Sequence, residues 1–251
     1  MVDQQQIQDE EYLFPYHYVA QFGAAGFKSH FCDDWAINYA STMEYMLKQV
    51  SACDARSIVD IGCGDGRFTR ELALAFSNRR IVGIDYSERA IRLARAMNQD
   101  QEISFQAVDI TTPSKIERFD AAILMEVFEH IPLPETKNFI EGVHNLLVAG
   151  GRLFLTVPHV NKPVEYKHFQ HFSVESITKH LSDMFVVEKI VPFEKISMSR
   201  KLLAKIISNR IFVLNNRYTL NFLYKYYTNS LFNCRNEQQC QRIYVEAVAR
   251  P

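Results

Sequence analysis

Glycines and acidic residues lie at the ends of the predicted strands, and their spacing is typical of a binding site. The segment from Val59 to Phe68 runs from apolar residues into a turn with glycines at positions 62, 64 and 66. Glycine allows positive φ angles and lets a bare backbone come close to a ligand. Asp60 precedes the first of these glycines by two residues. The turn therefore predicts a binding site for a cofactor at the end of a strand.

The spacing of the glycines discriminates between cofactors. Dinucleotide-binding proteins carry Gly-x-Gly-x-x-Gly, with the pyrophosphate at the helix N-terminus. Here the third glycine, Gly66, comes one residue early, and Arg67 takes the dinucleotide position. Asp85 ends the next strand, about twenty residues further on, where an acid binds ribose hydroxyls. Asp109 follows a third strand.

Asp-x-Gly-x-Gly-x-Gly, followed by acids after the next two strands, resembles the first motifs of class I S-adenosylmethionine-dependent methyltransferases. The resemblance implies S-adenosyl-L-methionine as cofactor and S-adenosyl-L-homocysteine as product. It also implies that Asp60 holds the ammonium group, Asp85 the ribose and Asp109 the adenine amino group. The cofactor-binding residues it predicts are Asp60, Gly62, Cys63, Gly64, Gly66, Arg67, Asp85, Tyr86, Asp109, Ile110, Met125 and Glu126.

A second group of chemical residues follows the fourth predicted strand. If a helical turn begins after Met125, then Glu126, Glu129 and His130 lie on one face. This segment resembles the fourth motif of small-molecule methyltransferases such as the ubiquinone-pathway O-methyltransferases. Methyl transfer to a hydroxyl requires removal of its proton, a task that suits a histidine. We predict His130 as general base, with Glu126 and Glu129 beside it.

Later histidines could assist His130. His168 or His171 is the expected helper or alternative base, and His159 and His168 are predicted to contact the substrate. The alternative is that His130 packs locally and that catalysis depends on proximity. Glu-x-x-Glu-His with a later histidine also resembles the ion site of small-RNA 3′-terminal 2′-O-methyltransferases, and such ligands suit a divalent metal. The Lys-His-x-x-His-Phe segment is closer to small-molecule relatives, so we predict no metal.

Strands must alternate with helices to position these residues. The resemblance implies an α/β, Rossmann-like class I methyltransferase fold, with a seven-stranded, mostly parallel sheet and an antiparallel last strand. The predicted strands are 57–61, 80–84, 103–108, 119–125, 152–157, 184–191 and 242–249. The predicted parts are a helical N-terminal extension (1–56), the cofactor-binding core (57–191), a helical insertion (192–240) and the last strand (241–251).

Two segments outside the core are expected to select the acceptor. The N-terminal extension is rich in aromatic residues, and Tyr16 and His17 are its predicted substrate contacts. The insertion carries eight lysines and arginines against Glu194 and Glu237. We expect it to form a basic, aromatic lid over an acceptor that bears phosphate. Contact with an anionic membrane surface, contact with RNA, or a merely solvated face are the alternatives.

Composition narrows the function classes. The net charge of -1 gives no overall bias toward nucleic acid, and none of the five cysteines forms a Cys-x-x-Cys pair. The polar, acidic start is no signal peptide, so we expect a reduced, cytoplasmic protein.

A looser resemblance to methyltransferases of bacterial surface-polysaccharide genes predicts methylation of an oxygen, with nitrogen second, on a sugar-containing or phosphate-bearing small molecule. The alternatives are an RNA 2′-O-methyltransferase with a metal site and a cofactor-binding protein without turnover. The acceptor's identity and the oligomeric state stay open.

Overall fold

The computed structural model describes residues 20–21, 26, 28–29, 34–112, 117–209 and 211–251. Tyr16 and His17 lie outside the described residues. The described part of the N-terminal extension consists of the short antiparallel strands β1 (Ala20–Gln21) and β2 (Lys28–Ser29) and of helix α1 (Asp34–Ser51).

Among the residues that the structure describes, seven longer strands and six further helices follow α1. The strands are β3 (Ser57–Ile61), β4 (Arg80–Asp85), β5 (Ser104–Ala107), β6 (Phe119–Met125), β7 (Leu147–Pro158), β8 (Phe185–Lys195) and β9 (Cys240–Ala249). The helices are α2 (Arg67–Ala75), α3 (Glu88–Met97), α4 (Thr136–Asn145), α5 (Val174–Leu181), α6 (Met198–Ile207) and α7 (Arg217–Ser230). Short 3₁₀ turns lie at Phe128–His130, Leu133–Glu135 and Glu237–Gln239.

Local sequence signals account for several of these boundaries. The hydroxyl of Ser87 accepts a hydrogen bond from the backbone N–H of Ala90 at 3.3 Å and so starts α3. Ser173 accepts from the N–H of Ser176 at 3.0 Å in a reciprocal capping box at the start of α5. Each cap satisfies a backbone donor that the first helical turn would otherwise leave without a partner.

The strands form one sheet in the order β5-β4-β3-β6-β7-β9-β8. Strand β9 runs antiparallel to both of its neighbours, whereas the pairs among β3 to β7 are parallel. The predicted seven-stranded sheet with an antiparallel last strand is therefore confirmed. The chain changes its direction of winding between β3 and β6, so the carboxyl ends of these adjacent strands border a crevice.

The ends of three strands differ from the sequence-based expectation by two residues or more. Strand β7 begins at Leu147, before the two glycines at 150 and 151 that were expected to precede it. Strand β8 continues to Lys195 and β9 already begins at Cys240. Pairing between β8 and β9 extends to Lys195 and Cys240, so the last residues of both strands find backbone partners that a sequence pattern does not reveal.

Two hydrophobic clusters cover the two faces of the sheet. One joins α1 and α2 with helices α6 and α7 of the insertion, and the other holds α4 and α5. The insertion is fixed to α1 by polar contacts too, because Tyr227 donates to Asn38 Oδ1 at 2.9 Å and Tyr224 to Glu44 Oε2 at 2.6 Å. None of the helices that the structure describes has the length and hydropathy needed to span a bilayer.

Candidate active site

A cavity of about 390 Å³ opens at the carboxyl ends of β3, β4 and β6. Its size lies within the roughly 300–1,000 Å³ of small-molecule sites. The cavity follows the crevice at which the sheet topology reverses, where open α/β sheets bind ligands.

The glycine turn forms one wall of this cavity. Gly62, Gly64 and Gly66 have φ angles of 70°, 55° and 79°, which a side chain disfavours. The N–H of Gly62 donates to the carbonyl oxygen of Ile84 at 2.8 Å and so ties the turn to β4. A Cβ atom on Gly62 would lie 2.6 Å from Val127 Cγ2. Position 62 therefore requires glycine for its backbone angle and for space.

Asp60 is buried at the end of β3. The hydroxyl of Thr69 donates to Asp60 Oδ2 at 2.7 Å. Burial, opposed by this hydrogen bond and aided by the nearby charge of Asp85, raises the pKa of Asp60 to about 7. A cation placed beside Asp60 would favour its charged form.

Asp85 and Asp109 occupy the next two strand ends. Asp85 Oδ2 accepts from the N–H of Gly64 at 3.0 Å, and its Oδ1 accepts from the N–H of Ser87 at 2.9 Å. Asp109 is exposed and accepts from the N–H and the hydroxyl of Thr111 at 2.9 and 2.6 Å. Asp85 thus ties the glycine turn to α3, and both carboxylates reach the cavity wall together with Asp60.

Ten of the predicted cofactor-binding residues line the cavity. They are Asp60, Gly62, Cys63, Gly64, Asp85, Tyr86, Asp109, Ile110, Met125 and Glu126. Gly66 and Arg67 do not line it. Gly66 caps helix α2, and the buried Arg67 forms an ion pair with Glu71 one turn along that helix. Both residues thus contribute to the start of helix α2, and their predicted contact with the cofactor stays a prediction.

The segment after β6 forms the opposite end of the cavity, which we call the acceptor end. Glu126, Glu129 and His130 all line it, but they do not share a helical face as expected. Glu126 has a φ of 58°, and the 3₁₀ turn begins only at Phe128. Arg242 Nε donates to Glu126 Oε2 at 2.7 Å.

Three histidines lie together at the acceptor end, and two of them, His168 and His171, are hydrogen-bonded to each other. His130 Nδ1 lies 3.2 Å from the carbonyl oxygen of Lys167. His168 Nδ1 lies 2.8 Å from His171 Nε2, and His171 Nδ1 lies 2.8 Å from the carbonyl oxygen of Lys162. Only His130 and His168 line the cavity. His171 lies behind His168 and is hydrogen-bonded to it, and its predicted part as helper or alternative base stays a prediction.

Burial changes the pKa of the groups at this end. It lowers the pKa of His168 to about 3, with the nearby His130 as second cause, and it also lowers that of His171. Burial and the charge of Glu126 raise the pKa of Glu129 well above its usual range. One carboxylate oxygen of Glu129 and one ring nitrogen each of His130 and His168 lie within 4.8 Å of one another. These three residues could hold a metal ion.

His159, a predicted substrate contact, does not line the cavity. Its Nε2 donates to Glu237 Oε1 at 2.9 Å, and its Nδ1 accepts from the N–H of Asn161 at 3.0 Å. Both ring nitrogens thus have partners, and Nε2 joins the residue after β7 to the segment before β9. In this structure His159 joins two segments of the chain, and its predicted contact with the substrate stays a prediction.

Helix α1 provides a wall that sequence reasoning missed. Trp35, Asn38, Tyr39 and Thr42 line the cavity at the i, i+3, i+4 and i+7 spacing of one helix face. The rings of Trp35 and Tyr39 stack with centroids 4.9 Å apart. The spacing itself was a usable signal. Further cavity residues that the sequence did not single out are Lys162, Glu165, Lys167 and Arg242.

The basic insertion does not form the expected lid within the part of the chain that the structure describes. No described residue between 196 and 239 lines the cavity. Instead, Leu203, Ile207 and Leu220 pack in the hydrophobic cluster with helix α1. Their burial directs the insertion onto α1, and its effect on the site is through that helix.

Known proteins resemble this chain over its core and in its fold. Residues 58–151 match the family model described as a methyltransferase domain. A ubiquinone biosynthesis O-methyltransferase of Coxiella burnetii (strain Dugway 5J108-111) is 32% identical over 47% of this chain and 50% of its own length. The same enzyme of Xylella fastidiosa (strain M23) is 32% identical over 45% of this chain and 46% of its own length. The chain therefore spans about half the length of the curated relatives it matches.

Solved structures resemble the whole chain. The N-methyltransferase NodS from Bradyrhizobium japonicum WM9, in complex with S-adenosyl-L-homocysteine, gives a TM-score of 0.63 at 17% identity, covering 99% of this chain and 98% of that one. Magnesium protoporphyrin IX methyltransferase from Synechocystis PCC 6803, with bound S-adenosylmethionine, gives 0.60 at 17% identity, covering 100% and 99%. The predicted class I methyltransferase fold and the family resemblance are confirmed.

Proposed function

We propose that the methyltransferase domain at residues 58–151 makes this chain an S-adenosylmethionine-dependent methyltransferase acting on a small molecule. The observation that carries the proposal is the row of Asp60, Asp85 and Asp109 along one cavity, at the ends of three successive strands and beside the glycine turn. Such a row matches the amino group, ribose and adenine of the cofactor in order. Each acid would then have a polar group of the cofactor as partner.

One end of the cavity binds the cofactor, and the other end binds the acceptor. Asp60 holds the cofactor's ammonium group, and Asp85 and Asp109 hold its ribose and base. The sulfonium supplies a methyl carbon that an oxygen or nitrogen of the acceptor attacks. Glu129, His130 and His168 face that acceptor atom and promote loss of its proton, while the cavity walls hold both reactants in line.

The acceptor that fits best carries a hydroxyl on a ring, as in a sugar-containing molecule. Trp35 and Tyr39 offer a stacked aromatic surface at the cavity wall, and aromatic faces suit planar or sugar rings. Carboxylates outnumber cations around the cavity, and Lys162 is already paired with Glu165. A phosphate on the acceptor is therefore better placed outside this cavity. The same charge balance disfavours RNA as acceptor.

Binding of the cofactor tests the proposal directly. Isothermal titration with S-adenosyl-L-homocysteine should give one site per chain in the wild type. Asp85→Asn should weaken it, because the ribose hydroxyls and the glycine turn both lose a charged acceptor. Asp100→Asn is the matched control, since Asp100 is exposed and pairs with Arg70 outside the cavity.

Methyl transfer to a panel of sugar-containing acceptors, detected by mass spectrometry, tests the reaction. Absence of homocysteine-cofactor binding in the wild type overturns the proposal. Binding without transfer to any acceptor would instead indicate a cofactor-binding protein without turnover.

A peripheral membrane contact belongs to the same proposal. Helices α6 and α7 expose Leu202 and Phe222, and the segment between them exposes Phe212. Lys201 and Lys205 on α6 are exposed too. Exposed apolar side chains among cations suit the surface of an anionic bilayer. Flotation with vesicles of anionic phospholipid should recover the wild type, and replacing the two lysines by glutamate should abolish recovery. Equal recovery with neutral vesicles speaks against this contact.

A further inference from the structure

Asn38 in helix α1 is a buried amide whose orientation is fixed by the insertion. It lines the cavity and is 4% exposed. The hydroxyl of Tyr227 donates to Asn38 Oδ1 at 2.9 Å. The guanidinium groups of Arg200 and Arg242 also act on Tyr227, and because they can only donate, the hydrogen of the Tyr227 hydroxyl is left for Asn38. Asn38 Nδ2 is therefore turned away from Tyr227, and it has no hydrogen-bond partner among the described residues.

Arg242 presents a second donor to the same cavity. It lines the cavity and is 8% exposed. Its Nε donates to Glu126 Oε2 at 2.7 Å and its Nη1 donates to Glu194 Oε2. No residue that the structure describes accepts a hydrogen bond from its Nη2. Buried donors are nearly always paired, so Asn38 Nδ2 and Arg242 Nη2 call for a ligand that supplies oxygen atoms.

An acceptor atom lies beside these donors. Glu126 Oε1 is buried, and none of the described residues donates to it. It belongs to the carboxylate that Arg242 binds, so a donor and an acceptor stand side by side at the acceptor end. A hydroxyl group matches such a pair, because it accepts one hydrogen bond and donates another.

We propose that Asn38, Arg242 and Glu126 bind neighbouring hydroxyl groups of the acceptor, which is an uncharged, polyhydroxylated ring. Oxygens of the ring accept from Asn38 Nδ2 and Arg242 Nη2, and one hydroxyl donates to Glu126 Oε1. This site rests on the proposed function and gives the acceptor its chemical class. Because the ring is held in one orientation, one particular hydroxyl meets the methyl carbon.

The charges around the site favour an uncharged ring over an anionic one. Glu126 and Glu194 pair with Arg242, and Glu194 also pairs with Arg200. The two carboxylates balance the two guanidinium groups. A carboxylate or phosphate of the acceptor would therefore meet no net positive charge here, and its burial would be costly.

The aromatic wall of the cavity lies on the same helix face as Asn38. Trp35 precedes Asn38 by three residues and Tyr39 follows it directly, and the two rings stack with centroids 4.9 Å apart. A sugar ring has an apolar face of C–H groups and an edge of hydroxyls. An aromatic surface next to hydrogen-bonding groups matches both.

The insertion positions both donors without entering the cavity. Tyr227 of α7 orients Asn38, and Glu194, held by Arg200 of α6, binds Arg242. No described residue between 196 and 239 lines the cavity itself. Tyr227 is thus a positioning residue, and the insertion takes part in acceptor recognition through it.

Saturation-transfer difference NMR tests the site with the methyl glycosides of glucose, galactose, mannose and rhamnose as probes. The full chain is measured with and without saturating S-adenosyl-L-homocysteine. At least one glycoside should bind to the wild type. Asn38→Leu has a similar volume but no donor and should weaken binding by about fivefold or more. Arg242→Lys keeps the charge but not the forked donors and should do the same. Asn145→Leu is the matched control, because Asn145 is exposed on α4 outside the cavity.

Tyr227→Phe tests the positioning role. It leaves Asn38 in place without its orienting hydroxyl and should weaken glycoside binding less than Asn38→Leu does. Tyr218→Phe is its control, because Tyr218 lies on the same helix and is exposed. Wild-type glycoside binding by Tyr227→Phe would contradict the positioning role.

Three outcomes overturn the acceptor site. They are absence of glycoside binding by the wild type, equal binding by the wild type and Asn38→Leu, and tighter binding of methyl glucuronide than of methyl glucoside. The last outcome would show that the site prefers an anion. Thermal unfolding verifies that each variant is folded, and Asn38→Leu and Arg242→Lys test the site independently.

Two cofactor ligands show to which molecule the donors belong. S-Adenosyl-L-homocysteine carries a carboxylate, whereas 5′-methylthioadenosine lacks the amino acid part. If Asn38→Leu and Arg242→Lys weaken binding of the first ligand but not of the second, the donors bind the cofactor's carboxylate and the acceptor site is overturned. Unchanged affinity for both ligands supports it. Failure of the wild type to bind S-adenosyl-L-homocysteine overturns the proposed function, while glycoside binding without cofactor is still measured, so the two proposals fail separately.

Discussion

Arg242 on the last strand binds Glu126 at the end of β6, with Arg242 Nε 2.7 Å from Glu126 Oε2. Arg242 also forms an ion pair with Glu194. Glu126 and Glu194 are the two non-glycine residues with positive φ among those that the structure describes. The buried guanidinium of Arg242 therefore binds both residues with a strained backbone. Glu126 lies at the acceptor end, and Glu194 lies where the insertion begins.

Replacing Arg242 by methionine should destabilise the fold strongly. The change leaves the partly buried Glu126 without its ion-pair partner and the buried Glu194 with Arg200 alone, which costs up to about 3–5 kcal/mol of the free energy of unfolding. Denaturation by urea measures this. Arg152→Met is the control, because Arg152 pairs with Glu188 and Glu246 in a partly exposed place and should cost about 0–1 kcal/mol. Similar losses of stability in Arg242→Met and Arg152→Met would contradict the special role of Arg242.

Cofactor affinity should depend on pH through Asp60. Its pKa is raised to about 7 in the free protein, so much of it is protonated below that pH. The ammonium group of the homocysteine cofactor favours the carboxylate. Affinity should thus rise as pH increases from about 5.5 to 7 and level off above. Calorimetry across this range measures it. Asp60→Asn should remove the pH dependence of the affinity, and Asp100→Asn should keep it. A wild-type affinity that does not change with pH would refute the contact between Asp60 and the ammonium group.

The raised pKa of Asp60 also affects the free energy of unfolding. This contribution decreases as pH rises, whereas the affinity for the cofactor increases. The native state holds a proton on Asp60 that the unfolded state has released once pH exceeds the usual carboxyl pKa of about 4. The contribution of Asp60 to the free energy of unfolding therefore falls as pH rises from about 4 to 7 and is constant above that range. Comparing wild type and Asp60→Asn in urea denaturation at both ends of this range isolates the effect.

The sequence was informative where the signal is local. The motif around Gly62 and the acids Asp85 and Asp109 depend on strand ends and nearby turns, which short patterns encode. The residues of α1 that line the cavity were missed although their spacing was visible, because Ala36 and Ile37 beside them indicate core packing equally well. Which face of a helix meets a ligand depends on how the whole chain packs.

Long-range pairs could not be predicted from the sequence. His159 and His168 are histidines in the same predicted loop region, yet only one of them faces the cavity. The difference arises from Glu237, which lies 78 residues beyond His159 and binds its ring. Likewise, 116 residues separate Glu126 from Arg242, and no periodicity links them. Contacts of this kind depend on the sheet order, which brings β9 beside β7.

Gly62→Ala should weaken cofactor binding more than its backbone strain alone predicts. Alanine at φ 70° costs about 1–2 kcal/mol, and its Cβ would also displace Val127 from the cavity wall. Gly150→Ala is a close control, because Gly150 has a φ of 75° but nothing within 4 Å of an added Cβ. We expect both variants to lose similar stability from strain, with about tenfold weaker cofactor binding only in Gly62→Ala. Unchanged affinity in Gly62→Ala would show that the turn does not contact the cofactor.

His130 and His171 should differ in their effect on turnover, because only His130 lines the cavity. His130→Ala removes a group that faces the acceptor and should lower kcat by about 10²- to 10⁴-fold. His171→Ala removes only the partner that orients His168, so a loss of about 10- to 100-fold is expected. Single-turnover rates with a saturating acceptor measure both, and unchanged binding of the homocysteine cofactor verifies that the other end of the cavity is intact. Equal losses would mean that His171 takes part directly, and wild-type rates in both would mean that proximity alone drives the transfer.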